Sequence, residues 1–111
     1  MMDEQVMQRA REQFNDCAAI FIALGDSVRQ KIILDLAETG EEGINVAQIS
    51  ERSTLSRPAI SYHLKVLKEA GLVAPVKKGT QIFYRLRMKR QFLRVKELLN
   101  TVEALIDEVE N

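Results

Sequence analysis

Tryptophan is absent from this 111-residue chain, aromatic residues make up only 5% of it, and it has one cysteine and one histidine. So little aromatic surface argues against a pocket that stacks sugars or nucleobases. The lone Cys17 can form neither an internal disulfide nor a CxxC metal site, which fits a reducing compartment. His63 is distant from Cys17, and there is no Gly-rich phosphate loop, nucleophile elbow or carboxylate pair in an apolar pattern. The parts of an enzyme are missing. The longest uncharged apolar run, Cys17 to Leu24, is far short of a membrane span, and Asp3 and Glu4 stand where a signal peptide would be basic. The expected location is the cytoplasm, with no membrane contact.

Net charge is missing too, since 16 Lys and Arg balance 16 Asp and Glu. That zero conceals a strong segregation along the chain. Residues 1–51 hold 4 Lys/Arg and 10 Asp/Glu, residues 52–96 hold 12 and 1, and residues 97–111 hold 0 and 5. The balances are −6, +11 and −5, so a folded domain should turn one basic face outward. With 46% apolar residues, a chain of this length is expected to form one domain over 1–111 that buries about two-thirds of its unfolded surface.

The basic segment opens on NVAQISERSTLSRPAISYHLKVLKEAG, residues 45–71. Asn45 and Gln48 have the spacing of a capping box, and Val46 and Ile49 give the helix that follows one apolar stripe. Polar residues 51–54 end it, and Leu55 supplies an apolar plug for the turn. Ser56 is a good N-cap for a second helix, in whose first turn Pro58 is tolerated. Ile60, Leu64 and Leu67 face the first helix, and Gly71 takes the place of a left-handed C′ residue. This is a helix-turn-helix. At about 100° per residue, its second helix exposes Pro58, Ser61, Tyr62 and Lys65, with Arg57 at the edge. Arginine can bond guanine bidentately, Ser and Tyr hydroxyls can bond bases or phosphates, and Lys attracts phosphate.

Before this unit, Met7, Ala10, Phe14, Cys17, Phe21 and Leu24 mark a heptad seam on a helix over about 3–24. Asp26 caps a second helix running to about Thr39, with Val28, Ile32, Ile33 and Leu36 inward and Gly40 and Gly43 stopping it. Ile44 can form a very short strand. After Gly71 the period becomes two, and residues 72–87 read as a β-hairpin with the tip Lys77-Lys78-Gly79-Thr80. Pro75 puts the first strand at an edge or a bulge. A hairpin directly after a reading helix is a wing, able to lay Lys77 and Lys78 along phosphates. From about Lys89 a last helix carries Phe92, Val95, Leu99, Val102, Ile106 and Val109, widened by Leu98 and Leu105. Two terminal helices with heptad seams, 1–24 and 89–111, point to dimerisation across a two-fold axis. The fold class is mainly α with a small β-hairpin (α+β), in the order α-α-(β)-α-α-β-β-α.

In that order the chain resembles the ArsR/SmtB family of winged-helix transcriptional regulators. The resemblance rests on LGDSVRQKIILDL at 24–36, LSRPAISYHLKVLKEAGLV at 55–73 and YRL at 84–86. It implies a homodimer that binds double-stranded DNA at an inverted repeat and represses a promoter until an effector arrives. By position it implies base and phosphate contacts from Arg57, Pro58, Ser61 and Tyr62 on the reading helix and from Lys77, Lys78 and Gly79 in the wing; Lys65 joins these DNA-binding candidates from its place on the exposed face. It implies a dimer seam of Phe14, Cys17, Phe21, Leu99, Val102 and Ile106. The departures concern the sensor. Residues 46–52 read VAQISER without the Cys pair of the family's thiolate site, and 89–111 contains no His. Neither a metal nor another cofactor is expected, and His63 is expected to pack within its helix. The effector is an unidentified small molecule or a redox signal through Cys17. The competing readings are a winged protein-interaction module that leaves DNA alone, and a regulator switched by Cys17.

Overall fold

The computed structural model describes residues 3–110, so Met1, Met2 and Asn111, the outermost ends of the expected dimerisation helices, lie outside the described residues. Five helices and three short strands follow in the anticipated order: α1 (Glu4–Leu24), α2 (Ser27–Thr39), β1 (Ile44–Asn45), α3 (Val46–Glu51), α4 (Arg57–Glu69), β2 (Val73–Lys78), β3 (Gln81–Leu86) and α5 (Lys89–Val109). A single 3₁₀ turn over Gly40–Glu42, absent from the sequence reading, links α2 to β1.

Local chemistry sets the boundaries. Asp3 caps α1 through the Gln5 N–H, and the Asp26 carboxylate accepts from the N–H groups of Val28 and Arg29 to open α2. At α3 the capping box is complete: the Gln48 N–H donates to Asn45 Oδ1 and the Asn45 N–H to Gln48 Oε1, each at 2.9 Å. In the turn, Ser53 Oγ accepts from the Leu55 N–H at 3.1 Å while Leu55 packs on the core. Ser56 Oγ accepts from Ala59 to start α4, with Pro58 in the first turn, where its missing N–H leaves nothing unpaired. The end of α4 is a Schellman motif. Gly71 has φ +77°, its N–H donates to the Lys68 carbonyl, and the Leu72 N–H donates to the Leu67 carbonyl.

The core lies where α1, α2, α3 and α4 meet the base of the sheet. Ile32, Leu36, Ile49, Ile60, Leu64, Leu67 and Leu72 are all buried there. Full burial of an aliphatic side chain contributes about 1.5–3 kcal/mol, so Ile60, Leu64 and Leu67 together hold α4 in place with roughly 5–9 kcal/mol before entropy is counted. The sheet has the order β1-β3-β2, all antiparallel, with Ile44 opposite Tyr84 and Pro75 opposite Tyr84 on its other flank. Pro75 thus sits on an edge strand, as its lack of an N–H demands. Gly43 lies so close to β3 that a Cβ there would collide with the Tyr84 carbonyl. At the other end of the hairpin, Gly79 takes φ +64° and Thr80 does not go positive, the pattern of a II′ turn with Gly in its first central position.

The long helices α1 and α5 pack on one another, and here the sequence reading needs correction. The heptad positions do not all share one seam. Ala10, Cys17 and Ile20 on α1 and Leu98 and Thr101 on α5 are buried within the chain, whereas Phe14 (51% exposed), Phe21 (42%), Phe92 (59%), Leu99 (56%) and Ile106 (45%) face outward. The apolar stripe on each helix is wider than one neighbour can cover. Small Ala10 and Cys17 let α5 approach α1, which pushes the bulky Phe14 and Phe21 to the uncovered flank. Cys17 is therefore a core residue (1% exposed), and half-buried Val102 also packs on the core. Leu98, expected only to widen the outer stripe, is the innermost residue of α5. The chain measures 58 × 26 × 21 Å with a radius of gyration of 17.3 Å, against about 13 Å for a compact domain of this length. The terminal helices project from the body and leave apolar surface uncovered.

Candidate nucleic-acid interface

The start of α4 presents Arg57, Pro58, Ser61, Tyr62 and Lys65 to solvent on one face, opposite the buried Ile60, Leu64 and Leu67. Tyr62 is 61% exposed and meets His63 edge-on, centroids 5.4 Å apart. Among the described residues, Arg57, Ser61 and Tyr62 donate no side-chain hydrogen bond, and Arg57 has no ion-pair partner. Their donors are uncommitted. Lys65 lies a loose 4.0 Å from Glu69. The N-terminus of α4 adds the positive end of its dipole to this face, which suits an anion such as a phosphate oxygen.

In the wing, Lys77, Lys78, Gly79 and Thr80 are all exposed, but the two lysines differ. Lys77 has no partner among the described residues. The Lys78 ammonium folds back onto the 3₁₀ turn, 3.2 Å from both the carbonyl and the carboxylate of Glu42, and lies 4.9 Å from the Phe83 ring centre. Arg85 is similarly tied to Glu41 at 3.0 Å, and Arg52 to Glu38 at 3.2 Å and Asp35 at 3.7 Å. The expectation of one continuous basic face therefore fails in part. Acids from the first half of the chain neutralise three cations of the second. Others, Arg87, Lys89 and Arg90, gather at the base of the hairpin by the start of α5. A six-residue strand separates them from the wing tip by about 20 Å. What remains at the reading end is Arg57, Lys65 and Lys77.

One residue that pattern reasoning passed over stands behind this face, beside His63. Arg29 of α2 is buried (8% exposed) and bonds His63 of α4. Nothing in the local pattern sets Arg29 apart from the solvated charges around it. His63 is half-buried, consistent with the packed role expected of it. The Asp26 carboxyl is held below the usual carboxylate range, first by the Arg29 backbone N–H and then by that of Val28, with the Arg29 guanidinium adding to the effect. Burial, and secondarily Asp16, pushes the Cys17 thiol up, away from the thiolate that redox chemistry requires.

The residues present do not fit the family's metal sites. Among the described residues no group of three His, Cys, Asp or Glu side chains could hold a metal ion. No described helix is long and apolar enough to cross a membrane.

Comparison with known proteins agrees with this geometry. Residues 26–74 match the model of the bacterial regulatory protein, arsR family. An uncharacterized HTH-type transcriptional regulator of Methanocaldococcus jannaschii is 38% identical over 94 residues, 85% of this chain and 99% of that protein. An ArsR-like transcriptional regulator from Rhodococcus sp. RHA1 superposes with a TM-score of 0.74 at 30% identity, covering 86% of this chain and 84% of that one. The solution structure of a possible ArsR-family transcriptional regulator from Mycobacterium bovis, described as a homodimeric winged helix-turn-helix DNA-binding domain, superposes with a TM-score of 0.64 at 25% identity, covering 93% and 89%.

Proposed function

Since the chain belongs to the ArsR family of bacterial regulatory proteins, whose members are transcriptional regulators and not enzymes, we propose that it is a sequence-specific transcriptional repressor that binds an inverted-repeat operator as a homodimer. The observation that carries this reading is the exposed, uncommitted face of Arg57, Pro58, Ser61 and Tyr62 at the start of α4, with the unpartnered Lys77 in the wing. Arg57 and Tyr62 enter the major groove at the N-terminal end of α4, while Lys77 and the Gly79 backbone follow the flanking phosphates. Bulk without sequence preference would not require such a face.

The second copy covers the flank that α1 and α5 leave open. Phe14, Phe21, Leu99 and Ile106 are large, apolar and exposed on two projecting helices, and the Mycobacterium bovis relative is described as homodimeric. An isologous contact through these residues sets two α4 helices to enter successive major grooves, about 10 base pairs apart or a multiple of that. A dimer seated on a promoter represses by excluding polymerase. Such work places the protein in the cytoplasm. Its effector is not one of the family's metals, because the ligands are absent, and the buried Cys17 is a poor redox sensor.

The test is selection of bound fragments from the source genome, followed by fluorescence anisotropy on the enriched duplex. Enrichment of an imperfect inverted repeat, bound far more tightly than bulk DNA, supports the reading. Failure to bind any duplex at low salt would sink it and leave the fold as a protein-interaction module.

A further inference from the structure

Arg29 is a charged residue with 8% exposure in a chain that has ample surface for its cations. Full burial of arginine is uncommon unless every donor is placed. Here the placement joins three helices. Nε donates to the Ala23 carbonyl at 2.8 Å and Nη2 to the Ile22 carbonyl at 3.0 Å, both in the last turn of α1, where the Ile22 carbonyl also accepts from the Gly25 N–H at 3.3 Å. Nη1 lies 3.2 Å from His63 Nδ1 on α4 and 4.0 Å from the Asp26 carboxylate that caps α2. A guanidinium cannot accept, so His63 Nδ1 must, and the ring proton sits on Nε2. His63 in turn meets the Tyr62 ring edge-on.

α1 carries Phe14 and Phe21 of the outward apolar flank, and α4 carries the reading face. The apolar packing between them is non-directional, whereas a planar fork bonded at three corners fixes an angle. We propose that Arg29 is a positioning residue that, through His63, locks the reading helix at a set angle to the dimerising helix and so determines which half-site spacing the dimer accepts. This rests on the DNA-binding homodimer reading above. The lever is long enough to matter. At 13 residues α4 is about 20 Å long. His63 stands at the middle of α4, about 9 Å from Arg57, so a tilt of about 10° about that contact moves the reading end by roughly 1.6 Å, and two protomers tilting in opposition change the separation by about 3.2 Å, close to the rise of one base pair.

The experiment uses the full chain and synthetic duplexes carrying two copies of the selected half-site with the natural spacing or with one base pair added or removed, plus a duplex with a single half-site. His63→Leu removes the acceptor, and His63→Asn keeps an oxygen near the position of Nδ1. Wild type and His63→Asn are expected to favour the natural spacing. In His63→Leu that preference falls by about ten-fold, the equivalent of one charge-assisted hydrogen bond, while single-half-site affinity changes by no more than about two-fold. Arg29→Met is the partner variant, but it takes a donor from two α1 carbonyls, leaving Ile22 with the Gly25 N–H alone, and lowers stability, so His63→Leu carries the test. Unchanged spacing preference in His63→Leu would overturn the proposal, as would an equal loss on the single half-site, which marks a merely structural contact. A wild type that binds no duplex strikes at the repressor reading itself and takes this inference with it.

Discussion

The two wing lysines are adjacent in sequence and should behave differently on DNA. Each phosphate neutralised on a duplex contributes about 0.9 to the slope of log affinity against log salt. A homodimer brings two wings, so Lys77→Ala is expected to reduce that slope by about 1.8. Over a four-fold rise in salt from about 50 to 200 mM, wild type then loses roughly twelve-fold more affinity than the variant. Lys78 starts from another state. Its ammonium already lies 3.2 Å from the Glu42 carboxylate, so binding a phosphate means leaving an ion pair worth up to about 1 kcal/mol. Lys78→Ala should therefore change the slope by less than half as much. Glu42→Gln breaks the ion pair, leaves Lys78 only the carbonyl and ring contacts, and removes a repelling charge, and should tighten binding at low salt while steepening its salt dependence. Anisotropy titrations on one operator duplex at four or more salt concentrations read all three. Equal slope changes for the two lysines, with Glu42→Gln inert, would refute the pairing argument, and an unchanged slope in Lys77→Ala would remove the wing from the interface.

Phe14→Glu combined with Leu99→Glu places four charges in the outward flank of the dimer, so sedimentation should show a monomer with helix content retained; a surviving dimer would mean that other residues make the contact. Leu64→Ala, fully buried against α3, is expected to lower stability by about 2–5 kcal/mol in urea unfolding, and a loss below about 1 kcal/mol would show that α4 is not anchored as described. Asp26 has a folded-state pKa below its unfolded one, so its contribution is present above the ordinary carboxylate range and disappears as pH falls through the lowered value. Asp26→Asn keeps the cap and drops the charge, and its melting temperature should vary less between pH 6 and 3 than that of wild type. Cys17, buried and with its thiol pKa raised, should react with a thiol reagent only as fast as the chain opens, and rapid labelling of the native protein would restore it as a sensor.

Those residues whose signals are local were legible in the sequence. Asn45 with Gln48, Ser56 before Pro58, Asp26 after Gly25 and Gly71 after Ala70 each satisfy backbone groups within a few positions, and each marks the boundary anticipated for it. The hairpin and its edge proline followed from period two and from the missing N–H of Pro75. What escaped depends on which element lies alongside. Lys78 meets Glu42 across 36 positions and Arg85 meets Glu41 across 44, so counting charges along the chain overstated the basic face. The spacing on α1 reveals a stripe but not which half of it α5 covers, and so Cys17 was grouped with Phe14 and Phe21. Arg29 could not be singled out because its partners lie on two other helices.

Gly43 governs more than its own turn. With no side chain there, β1 lies flush on β3 and leads without a spacer into the first turn of α3. Main-chain pairing at Ile44 and Asn45 thus ties the flap to the strand that opens α3, so the tilt of one is coupled to that of the other. On the repressor reading proposed above, part of the fit then falls to the duplex, and tolerance among sites should track how easily each bends.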